Sequence, residues 1–397
     1  MGSDSLTVRG VQDAEVEGKT VLVRVDYNVP IRDGVITDDE RIRASIPTLS
    51  WLVEHGAKVV LATHLGRPDG RPVPELRLDP VGARLAELMD HAVSKLDDCV
   101  GPAIEEAIAA GSAGDVFLLE NVRFHHAEVE NEGSFARGLA RLADLFVNDA
   151  FATAHRAHAS TFGVTDYLPA YAGLLIQREV EALSPLTREP ERPYVAIIGG
   201  KKAQSKLAPL RDLLPQVDTV LLGGGVAFTF LHAAGVHTRD LDIDEKLLHE
   251  IKEIIRQAEE LDVDIILPQD AVFAQDLEPG SETQIADVRS APQGWTGFDI
   301  GPKAVLSFRD HIESARTVVW TGPMGVYEHA SFGEGTKGVA AAIAASEAYS
   351  IVGGGETGDA VARFGYGNEV SYISTGGGAC LAFLRGKSLP ALDVLYA

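Results

Sequence analysis

Short apolar runs alternate with longer amphipathic stretches along almost the whole chain. In the first half, VLVRVDYNV (21–29), KVVLATHLG (58–66), DVFLLENV (115–122) and DLFVNDAF (144–151) read as buried strands. Between them, residues 38–55, 79–90 and 133–143 repeat apolar positions every three or four residues, the period of a helix with one buried face. Alternation of this kind predicts a mostly parallel sheet. The second half repeats the logic, with strands expected near 194–198, 219–222, 263–267, 317–320, 349–352 and 370–374. Four of its runs end in consecutive glycines: YVAIIGG (194–200), TVLLGGG (219–225), YSIVGGG (349–355) and SYISTGGG (371–378). Glycine lets the backbone take φ > 0 and turn its N–H groups toward a phosphate, above all where a helix begins just after the turn.

At 397 residues the chain exceeds what one hydrophobic core serves, so two domains are expected. We read 1–173 as an amino-terminal domain, 174–187 as a helical connector and 188–379 as a carboxy-terminal domain. The fold class is α/β, with two Rossmann-like three-layer αβα domains whose mostly parallel sheets face a central cleft. In open parallel sheets ligands sit beyond the carboxyl ends of the strands, which is where the candidate residues of both halves fall.

The 35 basic against 58 acidic residues give a net charge of −23, the wrong sign for a nucleic-acid footprint and unhelpful at anionic membranes. Residues 219–238 lack charged side chains, yet three early glycines and His232 and His237 argue for strand, turn and buried helix rather than a membrane span. The first ten residues have neither a basic nor an apolar leader segment, so a cytoplasmic location is expected. Cys99 and Cys380 have no partner at zinc-ligand spacing and read as buried thiols.

Arg41, His64, Arg67, Arg123 and Arg156 are scattered through strand-end loops of the first half, as a pocket for a small multiply charged anion requires. In the second half, IGGKKAQSK (198–206) sets Lys201, Lys202 and Lys206 beside a glycine turn, where lysines at a helix start are disfavoured unless an anion is near. GGGETG (353–358) formally fits a dinucleotide fingerprint, but the acidic residue wanted about 20 positions on is missing. No Walker-type phosphate loop occurs. His155 and His158 lack carboxylate or cysteine companions nearby, which speaks against a metal pair. Two anion sites on two domains suggest phosphoryl transfer.

VRVDYNVP (23–30), DDERIRASIPTLSWL (38–52), THLGRPDG (63–70), LLENVRF (118–124), VNDAFATAHRAHAST (147–161), GPMGVYE (322–328) and STGGGA (374–379) occur in one order, and with them the chain resembles the phosphoglycerate kinases from about residue 7 to 392. The resemblance implies reversible, Mg²⁺-dependent transfer between 1,3-bisphosphoglycerate and ADP, giving 3-phosphoglycerate and ATP, by a monomer that closes about its connector. It implies triose binding by Asp26, Tyr27, Asn28, Arg41, His64, Leu65, Gly66, Arg67, Arg123 and Arg156. Nucleotide binding would fall to Gly200, Lys202, Lys206, Gly223, Gly224, Gly297 in a TGFDIGP turn, Pro323, Glu328, Gly354, Gly355, Glu356 and Thr357. Arg41, Lys202, Gly354 and Gly377 would serve the transfer itself, Glu356 would hold the metal, and residues 380–397 would return to the first domain. Lys201, Gln204, Ser205, Thr321 and Glu356 depart from the family's usual pattern. A ligand-binding paralogue that has lost turnover is the alternative, and an NAD-dependent dehydrogenase a more distant one.

Overall fold

The computed structural model describes residues 7–236, 243–278 and 280–396, so His237 and the first six residues lie outside the described part. The chain divides into two compact units, Met1–Ser184 with Ser388–Ala397, and Pro185–Lys387.

The first unit is built on a six-stranded sheet whose pairings are all parallel. Its central strands Thr20–Arg24, Lys58–Ala62 and Leu145–Asn148 are buried almost throughout, because helices on both faces leave no solvated side. Helices Glu40–Glu54 and Asp79–Met89 bury Ile42, Leu49, Leu52, Val81 and Leu85 in the same core as Val21, Val23, Val59 and Leu61. The predicted strands and helices are present, and Val93–Lys95 and Ala170–Ala172 complete the sheet as edge strands.

Helix Leu174–Arg188 carries the division between the units at Ser184. Its first N–H groups are satisfied by side chains of the first unit. Leu174 N donates to Thr48 Oγ1 and Leu175 N to Asp149 Oδ1, each at 2.9 Å. The chain end also belongs to this unit. Arg9 N donates to Leu395 O at 2.8 Å, and Asn148 Nδ2 to Ala391 O at 3.1 Å. The return starts at Ser388 rather than 380, since helix Gly377–Leu384 belongs to the second unit, where Arg385 pairs with Asp212 at 2.7 Å.

The second unit has its own six-stranded parallel sheet, containing all six predicted strands. Ile197, Val318, Trp320 and Val352 of its central strands pack with Phe308 and Ile312 from one flanking helix and Val339 and Ile343 from another. The sequence pattern did not reveal a separate three-stranded antiparallel sheet, Gln284–Asp287, Asp270–Ala274 and Thr296–Ile300. Its strands are short, the outer one is largely exposed, and a bulge between Val272 and Phe273 interrupts the alternation that would announce it. The apolar stretch from 219 resolves into strand Thr219–Leu222 and helix Gly224–Ala233. Among the described residues no helix is long and apolar enough to cross a membrane.

Candidate functional site

In the first unit the parallel sheet sends the candidate loops to one edge, while Arg41, expected in a loop, lies in the first turn of helix Glu40–Glu54. Asp26 and Asn28 follow Thr20–Arg24, His64 to Arg67 follow Lys58–Ala62, Arg123 follows Val116–Leu118, and Arg156 follows Leu145–Asn148. A cavity of about 300 Å³ opens there, lined by Arg67, Arg123, Arg156, His126 and His158 among others.

The cradle is braced from beneath. Arg24, fully buried, donates to Ser160 Oγ at 2.8 Å and approaches His64 Nδ1 at 3.3 Å. Ser160 in turn donates to Glu128 Oε1 at 2.6 Å, and Glu128 is also wholly buried. Asp26 accepts from Asn28 N at 3.1 Å and pairs with Arg41. Asn28 Oδ1 accepts the N–H of Gly66 at 2.8 Å, and Arg123 Nη1 donates to Gly66 O at 2.7 Å. Among the described residues the buried Arg123 Nε finds no hydrogen-bond partner, which leaves one donor over beside the cavity.

The crowded cations act on each other. Burial, then Arg156 and Arg24, push the Arg123 guanidinium down to about 10. His64 is held well below its ordinary value, chiefly by burial and then by Arg24, Arg123, Arg156 and Arg41, so its imidazole is neutral. A phosphate or carboxylate entering this field relieves the mutual repulsion, which is a reason for it to bind.

Two of the expected triose-binding residues turn their side chains inward. Tyr27 is fully buried with its hydroxyl 2.8 Å from Ser45 Oγ, and Leu65 is buried in the core, so each offers only backbone. Arg24, Ser160 and Glu128 escaped notice in the sequence. An arginine inside the apolar run VLVRV was the one signal, since a charge in a buried strand needs a partner.

In the second unit the glycine turns cluster at the carboxyl edge of its sheet. Gly199 N donates to Thr321 O and Gly200 N to Pro323 O, both at 2.8 Å, while Gly224 N donates to Met324 O at 2.9 Å. Pro323 therefore contributes a carbonyl that ties two turns together. Gly354 has φ +102, and a Cβ on Gly377 would lie 3.0 Å from the Gly354 Cα, so the turns opening helices Gly355–Arg363 and Gly377–Leu384 touch through bare backbone. Side chains would hold them apart.

Lys202 and Glu356 are exposed here, and Lys206 Nζ donates to Thr321 Oγ1 at 3.2 Å. Burial lowers the Lys206 ammonium below its ordinary value, and Glu356 partly restores it. Thr357 is buried and accepts the N–H of Gly322 at 2.7 Å. Lys201 is exposed, and its carbonyl approaches Gly225 so closely that a Cβ there would lie 2.3 Å away. Ser205 Oγ turns back to Lys202 O at 2.9 Å, at the start of helix Gln204–Leu213.

Gly297 calls for a correction. It lies within strand Thr296–Ile300 rather than in a turn, and a Cβ would strike the Phe228 ring at 2.6 Å, so packing explains the glycine. Glu328 is exposed beside Tyr327, whose hydroxyl donates to Asp359 Oδ2 at 2.8 Å.

Two parallel α/β units, one with an arginine-lined cavity and the other with amide-rich turns at helix starts, define a kinase of the transferase class. The sequence profile described as Phosphoglycerate kinase matches residues 11–387. The chain belongs to the phosphoglycerate kinase family. The Phosphoglycerate kinase of Moorella thermoacetica is 49% identical over 385 residues, covering 97% of this chain and 98% of its own. Among solved structures, phosphoglycerate kinase from Coxiella burnetii is 39% identical with a TM-score of 0.82, the match covering 98% of this chain and 99% of the other. That from Pyrococcus horikoshii OT3 is 33% identical with a TM-score of 0.88, covering 98% of each. Family membership implies phosphoglycerate and ATP or ADP as substrates.

Proposed function

We propose that this chain carries out reversible, Mg²⁺-dependent phosphoryl transfer between 1,3-bisphosphoglycerate and ADP, giving 3-phosphoglycerate and ATP. The arginine-lined cavity would hold the triose, with Arg67, Arg123 and Arg156 on its phosphate and carboxylate groups and Asn28 fixing the loop at Gly66. Arg41 and Lys202 would compensate charge on the oxygens of the transferring group, together with the amides that follow Gly354 and Gly377.

The acceptor in the ATP-consuming direction is a carboxylate, already ionised at neutral pH, so the reaction needs no general base. A neutral His64 behind the arginines accords with that: it orients and takes no proton. Catalysis is then alignment, with reacting oxygens brought to ~3–3.5 Å, and helix Leu174–Arg188 is the segment that would bend.

Glu356 fits a magnesium ligand by its chemistry. It is an exposed carboxylate at the start of a helix, and Mg²⁺ is commonly held by one or two carboxylates plus substrate phosphates. When bound, the ion would neutralise charge on the nucleotide's phosphate oxygens.

The observation that carries this reading is the cavity in which Arg67, Arg123 and Arg156 converge on a space sized for a small anion. The test is ATP formation from ADP, Mg²⁺ and freshly generated 1,3-bisphosphoglycerate. Turnover that disappears when Mg²⁺ is chelated is expected, whereas 3-phosphoglycerate binding without any turnover would leave a binding paralogue.

A further inference from the structure

Strands Val93–Lys95 and Val116–Leu118 are parallel neighbours, so the loops leaving their carboxyl ends emerge side by side. The first loop carries Asp98 and Cys99, and the second leads through the turn Val122–Phe124 to His125. This brings His125 to Asp98 and Cys99, neighbours in the chain that lie in the earlier loop. One ligand atom from each of Asp98, Cys99 and His125 lies within 4.8 Å of the others. His125 Nε2 and Asp98 Oδ1 are 2.7 Å apart, Cys99 Sγ points to Glu120 O at 2.9 Å, and the His125 ring stacks on Phe135 with centroids 4.8 Å apart. Both cysteines are free and buried, as expected, and the fold sets His125 beside Cys99 although no histidine stands at zinc-ligand spacing in the sequence.

We propose that Asp98, Cys99 and His125 form a zinc site. Sulfur, nitrogen and oxygen donors in one set suit a borderline cation, whereas Mg²⁺ or Ca²⁺ would call for oxygens alone and Cu⁺ for more sulfur. Tetrahedral Zn²⁺ with bonds of about 2.0–2.3 Å needs ligand atoms roughly 3.3–3.8 Å apart, a spacing between the 2.7 Å of His125 to Asp98 and the 4.8 Å that bounds the cluster. Cys99 approaches from the buried side, while Asp98 is exposed and His125 partly so, leaving an outward fourth position for water. On binding, the Cys99 S–H bond breaks, its proton leaves to solvent and an S–Zn bond forms; His125 coordinates through Nε2 and keeps its proton on Nδ1. His125 is two residues from Arg123, so the ion would anchor the turn that presents Arg123 to the cavity.

The full-length, untagged chain, stripped by a chelator, is titrated with Co²⁺ and then Zn²⁺. One equivalent of Co²⁺ is expected to produce a thiolate-to-cobalt band in the near ultraviolet and tetrahedral bands in the visible, and Zn²⁺ to abolish them. Cys99→Ser should remove the near-ultraviolet band and Cys380→Ser should keep it. Asp98→Asn, at an exposed side chain, and His125→Ala, at a half-exposed one, should weaken Zn²⁺ binding at least ~tenfold without unfolding the chain. Absence of the band in the natural chain, its survival in Cys99→Ser, its loss in Cys380→Ser, or unchanged Zn²⁺ affinity in His125→Ala would each overturn the site.

Discussion

Lys206 Nζ donates to Thr321 Oγ1 across 3.2 Å, linking the helix after one glycine turn to the end of a neighbouring strand. The lysine is half-buried, which lowers its ammonium, Glu356 partly restores it, and the hydroxyl holds it aimed. Thr321→Val removes the acceptor at nearly constant volume. A hydrogen bond from a partly buried cation is worth about 1–1.5 kcal/mol here, so ADP should bind roughly five- to tenfold more weakly. Calorimetric titration should show 3-phosphoglycerate affinity unchanged.

The Arg24–Ser160–Glu128 chain is the stability-critical part of the basic cradle. Arg24→Met removes the buried guanidinium that faces Glu128 through Ser160 and leaves Ser160 Oγ without its donor, at a cost of about 1–3 kcal/mol. Urea unfolding should register that loss, and Arg24→Met with Glu128→Gln should recover much of it. A double variant no more stable than the single would show that the charges are not coupled.

The neutral histidines give the chain an acid-sensitive window. His64 lies well below 6.5, and burial with Arg123 and Arg156 pushes His158 down to about 4. The unfolded chain takes up protons near 6.5 that the folded chain refuses, so this stability is present above 6.5 and drains as pH falls toward about 4. Each histidine adds at most ~1.4 kcal/mol per pH unit to the slope. In His158→Gln the unfolding free energy should fall less steeply with acid across that window. An unaltered slope would assign the loss to other groups.

Glu356→Gln keeps the shape of the side chain and removes the charge at the start of helix Gly355–Arg363. Mg²⁺-dependent ADP affinity should fall at least ~tenfold, while binding measured with the metal chelated should stay nearly constant. Equal affinities in the presence of Mg²⁺ would remove Glu356 from the metal's coordination.

Much of the first unit's cradle was legible because parallel strands leave a local trace. A buried run followed by a loop places Asn28, Gly66, Arg67 and Arg156 on one edge without any knowledge of their contacts. For Tyr27 and Leu65 the same trace gives only half of the picture. Position after a strand says where the backbone is, and only packing says that these side chains turn inward. Gly297 shows a related failure, since a glycine demanded by the Phe228 ring looks in sequence like one demanded by a turn.

What the sequence determined by itself was the order of the main parallel strands and their helices, the positions of the glycine turns and the family, all of which depend on patterns spanning a few residues to a few dozen. Tertiary structure decided which distant groups meet. Arg24 finds Ser160, Lys206 finds Thr321 and Cys99 finds His125 because side chains far apart in the chain are delivered to one sheet edge. Periodicity records burial, which every core position shares, whereas a buried charge needs one particular partner that only the folded topology supplies.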